Sequence, residues 1–423
     1  MARGMKNSGI EWIGEIPDSW GFARIGSLYT LRNTKVSDTD YPPLSVTNKG
    51  IVPQLETAAK TNAHDDRKLV KQGDFAINSR SDRRGSCGIS RYNGSVSLIN
   101  TILAPNSEMN PQYYDWLFHT VQFADEFYKW GHGIVDDLWT TGWQDMKRIV
   151  IPLPSIEEQE MIASFLDVEC AEFDTLMADI QAQIETLEQY KRSVITEAVT
   201  KGLNPNIPLK DGGTDWIGQI PIHWRISKIK YEIMPIERSV YETDGIVTCF
   251  RNGEVTLRSN RREEGFTISL TEHGYHGVDV GDLVIHGMDA FAGAIGCSDS
   301  RGKITPVVHV CRTTGNNRFF MYFLRTMAYG DILMDLSDGV RIRSSDYRNF
   351  SKLGKLSICV PPLDEQDKIV DYLDSKVKQI DDVITQKQEQ LEILEEYKKS
   401  VVFEYVTGKK EVPISCPQSA MKQ

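Results

Sequence analysis

The sequence predicts an α+β protein written twice: two globular domains related by pseudo-twofold symmetry and separated by an antiparallel pair of long, coiled-coil-like helices. Three observations predict it. An ordered series of motifs recurs about 205 residues further along the chain. Each copy opens with about 130 residues of short apolar runs broken by Gly, Asn, Asp and Pro, the pattern of strands and turns. Each copy ends in one long stretch whose apolar residues fall at three- and four-residue steps.

The repeat is carried by five motifs. Trp12-Ile13-Gly14-Glu15-Ile16-Pro17-Asp18-Ser19-Trp20 returns 204 residues later as Trp216-Ile217-Gly218-Gln219-Ile220-Pro221-Ile222-His223-Trp224. Gly73-Asp74 returns as Gly281-Asp282, and Asn110-Pro111-Gln112-Tyr113-Tyr114 as Asn316-Asn317-Arg318-Phe319-Phe320. Pro154-Ser155-Ile156-Glu157-Glu158-Gln159 returns 207 residues later as Pro361-Pro362-Leu363-Asp364-Glu365-Gln366. Tyr190-Lys191-Arg192-Ser193-Val194 returns, again 207 later, as Tyr397-Lys398-Lys399-Ser400-Val401. The same order with so little drift leaves chance a poor explanation.

The elements follow from local pattern. Asp74–Asn78 and Asp282–His286, each after a Gly, read as strands; helix is predicted around Tyr113–Lys129 and Phe319–Tyr329. A Pro followed by Glu-Glu-Gln or Asp-Glu-Gln suits a helix start, because acids favour the positive N-terminal end. Phe173, Leu176, Ile180, Ile184, Leu187 and Val194 form one seam, with a gap at Tyr190-Lys191. Leu373, Val377, Ile380, Ile384, Leu391, Leu394 and Val401 form the other. A helix from Glu157 to Thr200 spans about 66 Å, and its seam is expected to have ended by Val199-Thr200. Lys191, Arg192, Lys398 and Lys399 are expected to serve the negative helix ends. A single apolar stripe of that length cannot stay in water, so the two helices are expected to bury their seams together, antiparallel if the copies are symmetric. The segments read as 1–153, first globular domain with docking segment; 154–207, helix and linker; 208–360, second domain; 361–407, second helix; 408–423, tail.

Composition excludes several classes. Hydrophobic content of 40% and charged content of 25% are ordinary for globular domains. Seven scattered cysteines without a C-x-x-C pair point to free thiols in a reducing cytoplasm. Met1 to Glu15 has no apolar segment of the signal-peptide kind, and no run long enough to span a membrane exists. The net charge of −11 is unevenly placed. Residues 21–150 hold 15 basic and 14 acidic residues, and residues 225–359 hold 18 and 16. Residues 151–200 hold 2 against 11, and residues 360–407 hold 6 against 12. The acid therefore lies in the helices, which are expected to face solvent or protein; the two domains are nearly neutral and can carry local basic patches.

Two such domains, each followed by a long helix headed by Pro…Glu-Gln, closely resemble the specificity subunit of type I restriction-modification enzymes. The resemblance covers nearly the whole chain, through Leu153-Pro154…Glu158-Gln159, Val360-Pro361-Pro362…Glu365-Gln366 and the paired Trp-Ile-Gly…Ile-Pro…Trp segments. It implies that each domain is a target-recognition domain reading one half of a split, asymmetric site on double-stranded DNA. It implies helices that fix the half-site spacing and dock two modification (methyltransferase) subunits, joined by restriction subunits, the ATP-dependent translocase and nuclease. On that reading no cofactor is bound by this chain; S-adenosylmethionine, ATP and Mg belong to the partner subunits.

Candidate DNA contacts are basic and amide residues in turns and loops. Arg80, Arg83 and Arg84 crowd one loop, where guanidiniums could meet guanine edges or phosphate, or an internal Asp82 partner. Arg258, Arg261 and Arg262 cluster before Glu263-Glu264; Arg341 and Arg343 alternate and could share a strand face. Asn48-Lys49 and Arg251-Asn252 occupy matching turns that turn chemistry alone also explains. The four Trp of the opening motifs are expected to pack on helix ends. His273, His276 and His286 match no zinc spacing, and no metal site is expected.

No catalytic motif is legible. There is no G-x-x-x-x-G-K-[ST] loop and no G-x-S-x-G elbow, and Tyr41-Pro42-Pro43-Leu44 is not an adenine-methyltransferase segment. The expectation is a non-catalytic DNA-reading subunit. Its rivals are a self-sufficient methyltransferase or nuclease with an unfamiliar active site, and a coiled-coil protein scaffold.

Overall fold

The structure, a computed structural model, describes residues 3–54, 65–80, 83–106, 109–133, 139–261, 273–335 and 350–413. The chain falls into two compact units, residues 1–181 with 389–423, and residues 182–388. Each globular part completes its core with the start of the long helix that follows it and the end of the other long helix.

In the first unit a hairpin pairs Met5–Asn7 with Glu15–Pro17. Gly21–Arg24 pairs antiparallel with Val150–Leu153, which leads into the first long helix. Between them in sequence lies a four-stranded antiparallel sheet, ordered Cys87–Ile89, Phe75–Asn78, Asn100–Pro105, Tyr29–Leu31. A hairpin, Leu44–Thr47 with Gly50–Pro53, lies beside the pairing of Arg67–Val70 with Gly94–Ser97. Helices Pro111–Phe118 and Val121–Lys129 follow.

The second unit repeats this pattern, except that Lys35–Val36, a third strand beside Arg67–Val70 in the first unit, has no counterpart among the described residues. Leu209–Asp211 pairs with Gln219–Pro221, and Arg225–Lys228 with Ser357–Val360. The four-stranded sheet has the matching order Ile295–Cys297, Leu283–His286, Val308–Thr313, Ile233–Pro235. The hairpin is Val247–Cys249 with Val255–Leu257, the neighbouring pair His276–Val278 with Gly302–Ile304, and the helix Asn317–Tyr329.

The repeated motifs are repeated joints. Gly73 and Gly281 take φ of +86° and +85°, which favours glycine. The Asp that follows each is a clamp. Asp74 accepts two hydrogen bonds from Arg32, at 2.6 and 2.9 Å, and one from the Lys71 N–H at 2.8 Å. Asp282 accepts from Arg238 and from the Asp279 N–H in the same way. The two Gln at the helix starts are buried; their side-chain oxygens accept from the Asn110 and Asn316 N–H at 2.9 Å each. Those asparagines in turn cap helices Pro111–Phe118 and Asn317–Tyr329. Trp12 meets Phe123 edge-on, and Trp216 meets Phe323.

The long helices run Ile156–Lys201 and Leu363–Val406, 46 and 44 residues. Within each unit their segments pair antiparallel. In the first, Phe165 meets Tyr405 and Phe173 meets Tyr397. In the second, Lys387 bonds Gln183, and Lys191 bonds Asp381. Two details correct the sequence reading. Leu176 is 46% exposed, and the half-buried Met177 takes the seam, because Phe173, Met177, Ile180 and Ile184 keep the four-three-four step. The seam does not end at Val199-Thr200 either: Val194, Ile195, Ala198 and Val199 are buried in the second unit's core. The gap at Lys191 is filled by Lys191 itself, which reaches Asp381 at 2.7 Å; Lys398 reaches Asp174 at 2.6 Å. These lysines therefore bridge the helix pair rather than serve the helix ends.

Candidate nucleic-acid interface

In both units the hairpin lies against the sheet so closely that only glycine fits between. A Cβ on Gly88 would come within 2.8 Å of the Gly50 Cα, and one on Gly296 within 2.0 Å of the Gly253 carbonyl oxygen. The hairpin tips, residues 48–49 and 251–252, are thereby held over one edge of each sheet, exposed.

At the second unit's tip the structure brings three of the sequence candidates together, Arg251, Asn252 and Arg261. Gly253 takes φ of +87°, and the Asn252 side chain accepts from the Glu254 N–H, so Asn252 builds its own turn. Arg251 pairs with Asp289 at 2.9 Å. Arg261 pairs with Glu254 at 3.2 Å and lies over the Phe250 ring at 4.1 Å. Arg258 is half-buried in a short 3-10 turn, Arg258–Asn260, where its N–H donates to the Ile246 carbonyl. Sequence reasoning missed two further residues here. Arg325, from helix Asn317–Tyr329, donates to the Asn252 carbonyl at 2.7 Å and to the Tyr329 hydroxyl at 3.0 Å. Arg192, from the first long helix, lies 4.9 Å from the Tyr329 ring centroid. Single arginines inside helices carry no local signal.

At the first unit's tip, Lys49 borders a cleft of about 470 Å³ whose polar lining also includes Arg91, Tyr92, Gln112, Asp115 and His119. By motif register His119 occupies the place of Arg325. Its ring lies within hydrogen-bond reach of the Asp115 and Cys87 carbonyls, at 2.7 and 3.1 Å. Sequence reasoning missed this cleft because its lining comes from four separate stretches.

The arginine-rich loop packs on helix Val121–Lys129 of its own unit. The Arg80 carbonyl accepts from the Tyr128 hydroxyl at 2.9 Å. Arg83 is exposed. Arg84 pairs with Asp125 and lies 5.4 Å from the Tyr128 ring centroid, so its acidic partner is Asp125. Asp82, Arg262, Arg341 and Arg343 lie outside the described residues. Among the described residues no group of three His, Cys, Asp or Glu is placed to hold a metal ion; the His286 ring nitrogen accepts from the Met288 and Asp289 N–H groups of its own turn. No helix is long and apolar enough to cross a membrane among the described residues.

Comparison with known proteins points one way. The family described as type I restriction modification DNA specificity domain matches residues 17–186 and 292–393. The putative type I restriction enzyme MjaX specificity subunit of Methanocaldococcus jannaschii is 24% identical over 431 residues, covering 94% of this chain and 95% of that protein. The type I restriction enzyme MjaVIII specificity subunit of the same organism is 25% identical over 341 residues, 75% of each chain. A solved chain, described in terms of complex assembly and conformational transition of the type I R-M system, superposes with a TM-score of 0.68 at 14% identity. It covers 93% of this chain and 99% of that one, and so has the same fold.

Proposed function

Since this chain belongs to the type I restriction-modification DNA specificity family and is its DNA-sequence-recognition subunit, we propose that its two units read the two halves of one split, asymmetric site. The observation that carries this is the repetition, in the same strand order of the four-stranded sheet, of one sheet-and-hairpin domain whose exposed tips differ in side chains: Asn48-Lys49 in one, Arg251-Asn252 in the other. A shared scaffold with different tips suits two recognition problems posed by one polymer. Phosphate contacts hold register, and base-edge contacts specify sequence.

Asn48, Lys49, Arg80, Arg83, Arg84, Arg251, Asn252, Arg258, Arg261, Arg262, Arg341 and Arg343 are the proposed contact set. Of these, Arg84, Arg251 and Arg261 already have carboxylate partners, which hold their guanidiniums in place and oppose their charge. The chain performs no chemistry on DNA in this proposal. Methyl transfer with S-adenosylmethionine and ATP-driven cleavage with Mg belong to two modification subunits and the restriction subunits that dock on it, and the acidic long helices suit protein partners better than phosphate. Half-site spacing follows helix length.

The test is replacement of residues 21–150 by the equivalent region of a relative, followed by mapping of methylated bases in cells. One half of the site should change and the other stay. A simultaneous change in both halves would refute the proposal, and so would methyl transfer by the purified chain alone.

A further inference from the structure

The second unit holds a pair of guanidiniums that, among the described residues, have no carboxylate partner. Four other cations of the unit are matched: Lys191 by Asp381 and Glu188, Arg251 by Asp289, Arg261 by Glu254, Arg318 by Asp374. Arg192 and Arg325 are different. Both lie against the Tyr329 ring, at 4.9 and 5.6 Å from its centroid, and among the described residues neither has a carboxylate partner. Arg325 is fixed by its bonds to the Tyr329 hydroxyl and the Asn252 carbonyl, and Arg192 is exposed on the rigid long helix.

Two like charges drawn to one ring repel, and the ring's quadrupole offsets only part of that cost. A bound anion would offset it. Planar guanidiniums with several N–H donors each suit a phosphate, which can accept from both. The hairpin tip that Arg325 holds is a proposed base-reading element, so the anion at hand is the backbone of the same duplex. We propose that Arg192 and Arg325, organised by Tyr329, form a phosphate clamp for the second half-site, so that the first long helix itself touches DNA. The inference rests on the reading of this unit as a DNA-recognition domain.

The experiment is equilibrium binding of the full chain, assembled with its methyltransferase subunits, to cognate and random duplexes across a salt series. Discrimination by the unaltered assembly is tested first; its failure would defeat the DNA-recognition reading itself rather than the clamp. With discrimination present, Arg192→Ala should weaken binding to both duplexes alike by about three- to tenfold. It should also flatten the slope of log affinity against log salt by about one, the signature of one lost phosphate contact. Arg192→Lys should recover most of the affinity, because a point charge still serves a phosphate. Arg192 is exposed, so the variant is expected to fold, and an unchanged melting temperature checks that. Three results would overturn the clamp. One is unchanged affinity and slope. A second is loss on the cognate duplex alone, which would make Arg192 a base contact. The third is weaker assembly with the methyltransferase subunits at unchanged DNA affinity, which would make its partner a protein.

Discussion

The indole Nε1–H of Trp20 donates to the Glu158 carboxylate at 2.9 Å, joining the opening motif to the first turn of the long helix. The bond returns between Trp224 and Glu365 at 2.8 Å. Both indoles are buried, and each also faces the glycine that ends the other long helix: Gly408 against Trp20, Gly202 against Trp224. One tryptophan per unit therefore fastens the start of one helix and the end of the other.

Removing the acceptor strands a buried donor. Glu365→Ala should cost about 1–3 kcal/mol in urea denaturation and red-shift tryptophan emission as water reaches the indole. Glu158→Ala should do the same; it also releases Arg3, as Glu365→Ala releases His223. A wild-type denaturation midpoint in both variants would remove the joint from the account.

The glycine contacts predict separable effects on recognition. Gly296→Ala sets a methyl against the Gly253 backbone, where no side chain can rotate away, so the hairpin must lift. Overpacking of this kind costs about 1–3 kcal/mol. Methylation mapping should show relaxed specificity in the second half-site only; Gly88→Ala should relax only the first. Relaxation of both halves by either variant would contradict the assignment of one hairpin to each half.

Glu232 predicts the acid behaviour of the second unit. The hydrogen bond from Arg225 holds its carboxyl down at about 2, against the cost of burial, with Ser227 and Thr314 also donating. A lowered carboxyl stabilises the fold fully above its ordinary value of 4.5, and that contribution is lost as pH falls towards 2. Glu232→Gln should therefore destabilise the protein at neutral pH and flatten the loss of stability between about pH 4.5 and 2. Denaturation midpoints across that range decide it; parallel pH profiles for variant and wild type would exclude the carboxylate as a contributor.

Helix length is expected to set half-site spacing. Four residues after Thr200 would disrupt the core that Val199 joins, so the insertion belongs at Gln181/Ala182 and Gln388/Glu389, exposed positions on both helices. Seven residues in each preserve the seam register and add about 10 Å, about three base pairs of spacer at 3.4 Å each. Mapped methylation should show the same half-sites further apart. Active enzyme with an unchanged spacer would rule the helices out as the ruler.

The sequence by itself determined the duplication, the α+β class and the two long helices, because these rest on order, spacing and periodicity, which are properties of a string. It also marked the joints, since Trp20, Gly73-Asp74 and Glu158-Gln159 recur with their counterparts at offsets of 204 to 208 residues. What the joints do was decided by tertiary structure: Arg32 finds Asp74 from 42 positions away, and Glu158 finds Trp20 from 138 away. The seam was legible to within one residue, with Met177 rather than Leu176 inward, since neighbouring apolar residues differ only by their angle about the helix. The candidate interface was least legible. Arg84 is dense in local charge yet is paired with Asp125, whereas Arg192 and Arg325 stand alone in sequence and meet at Tyr329. Charge in a chain counts residues; charge at a surface depends on which partners the fold brings within reach, and only the folded chain fixes that.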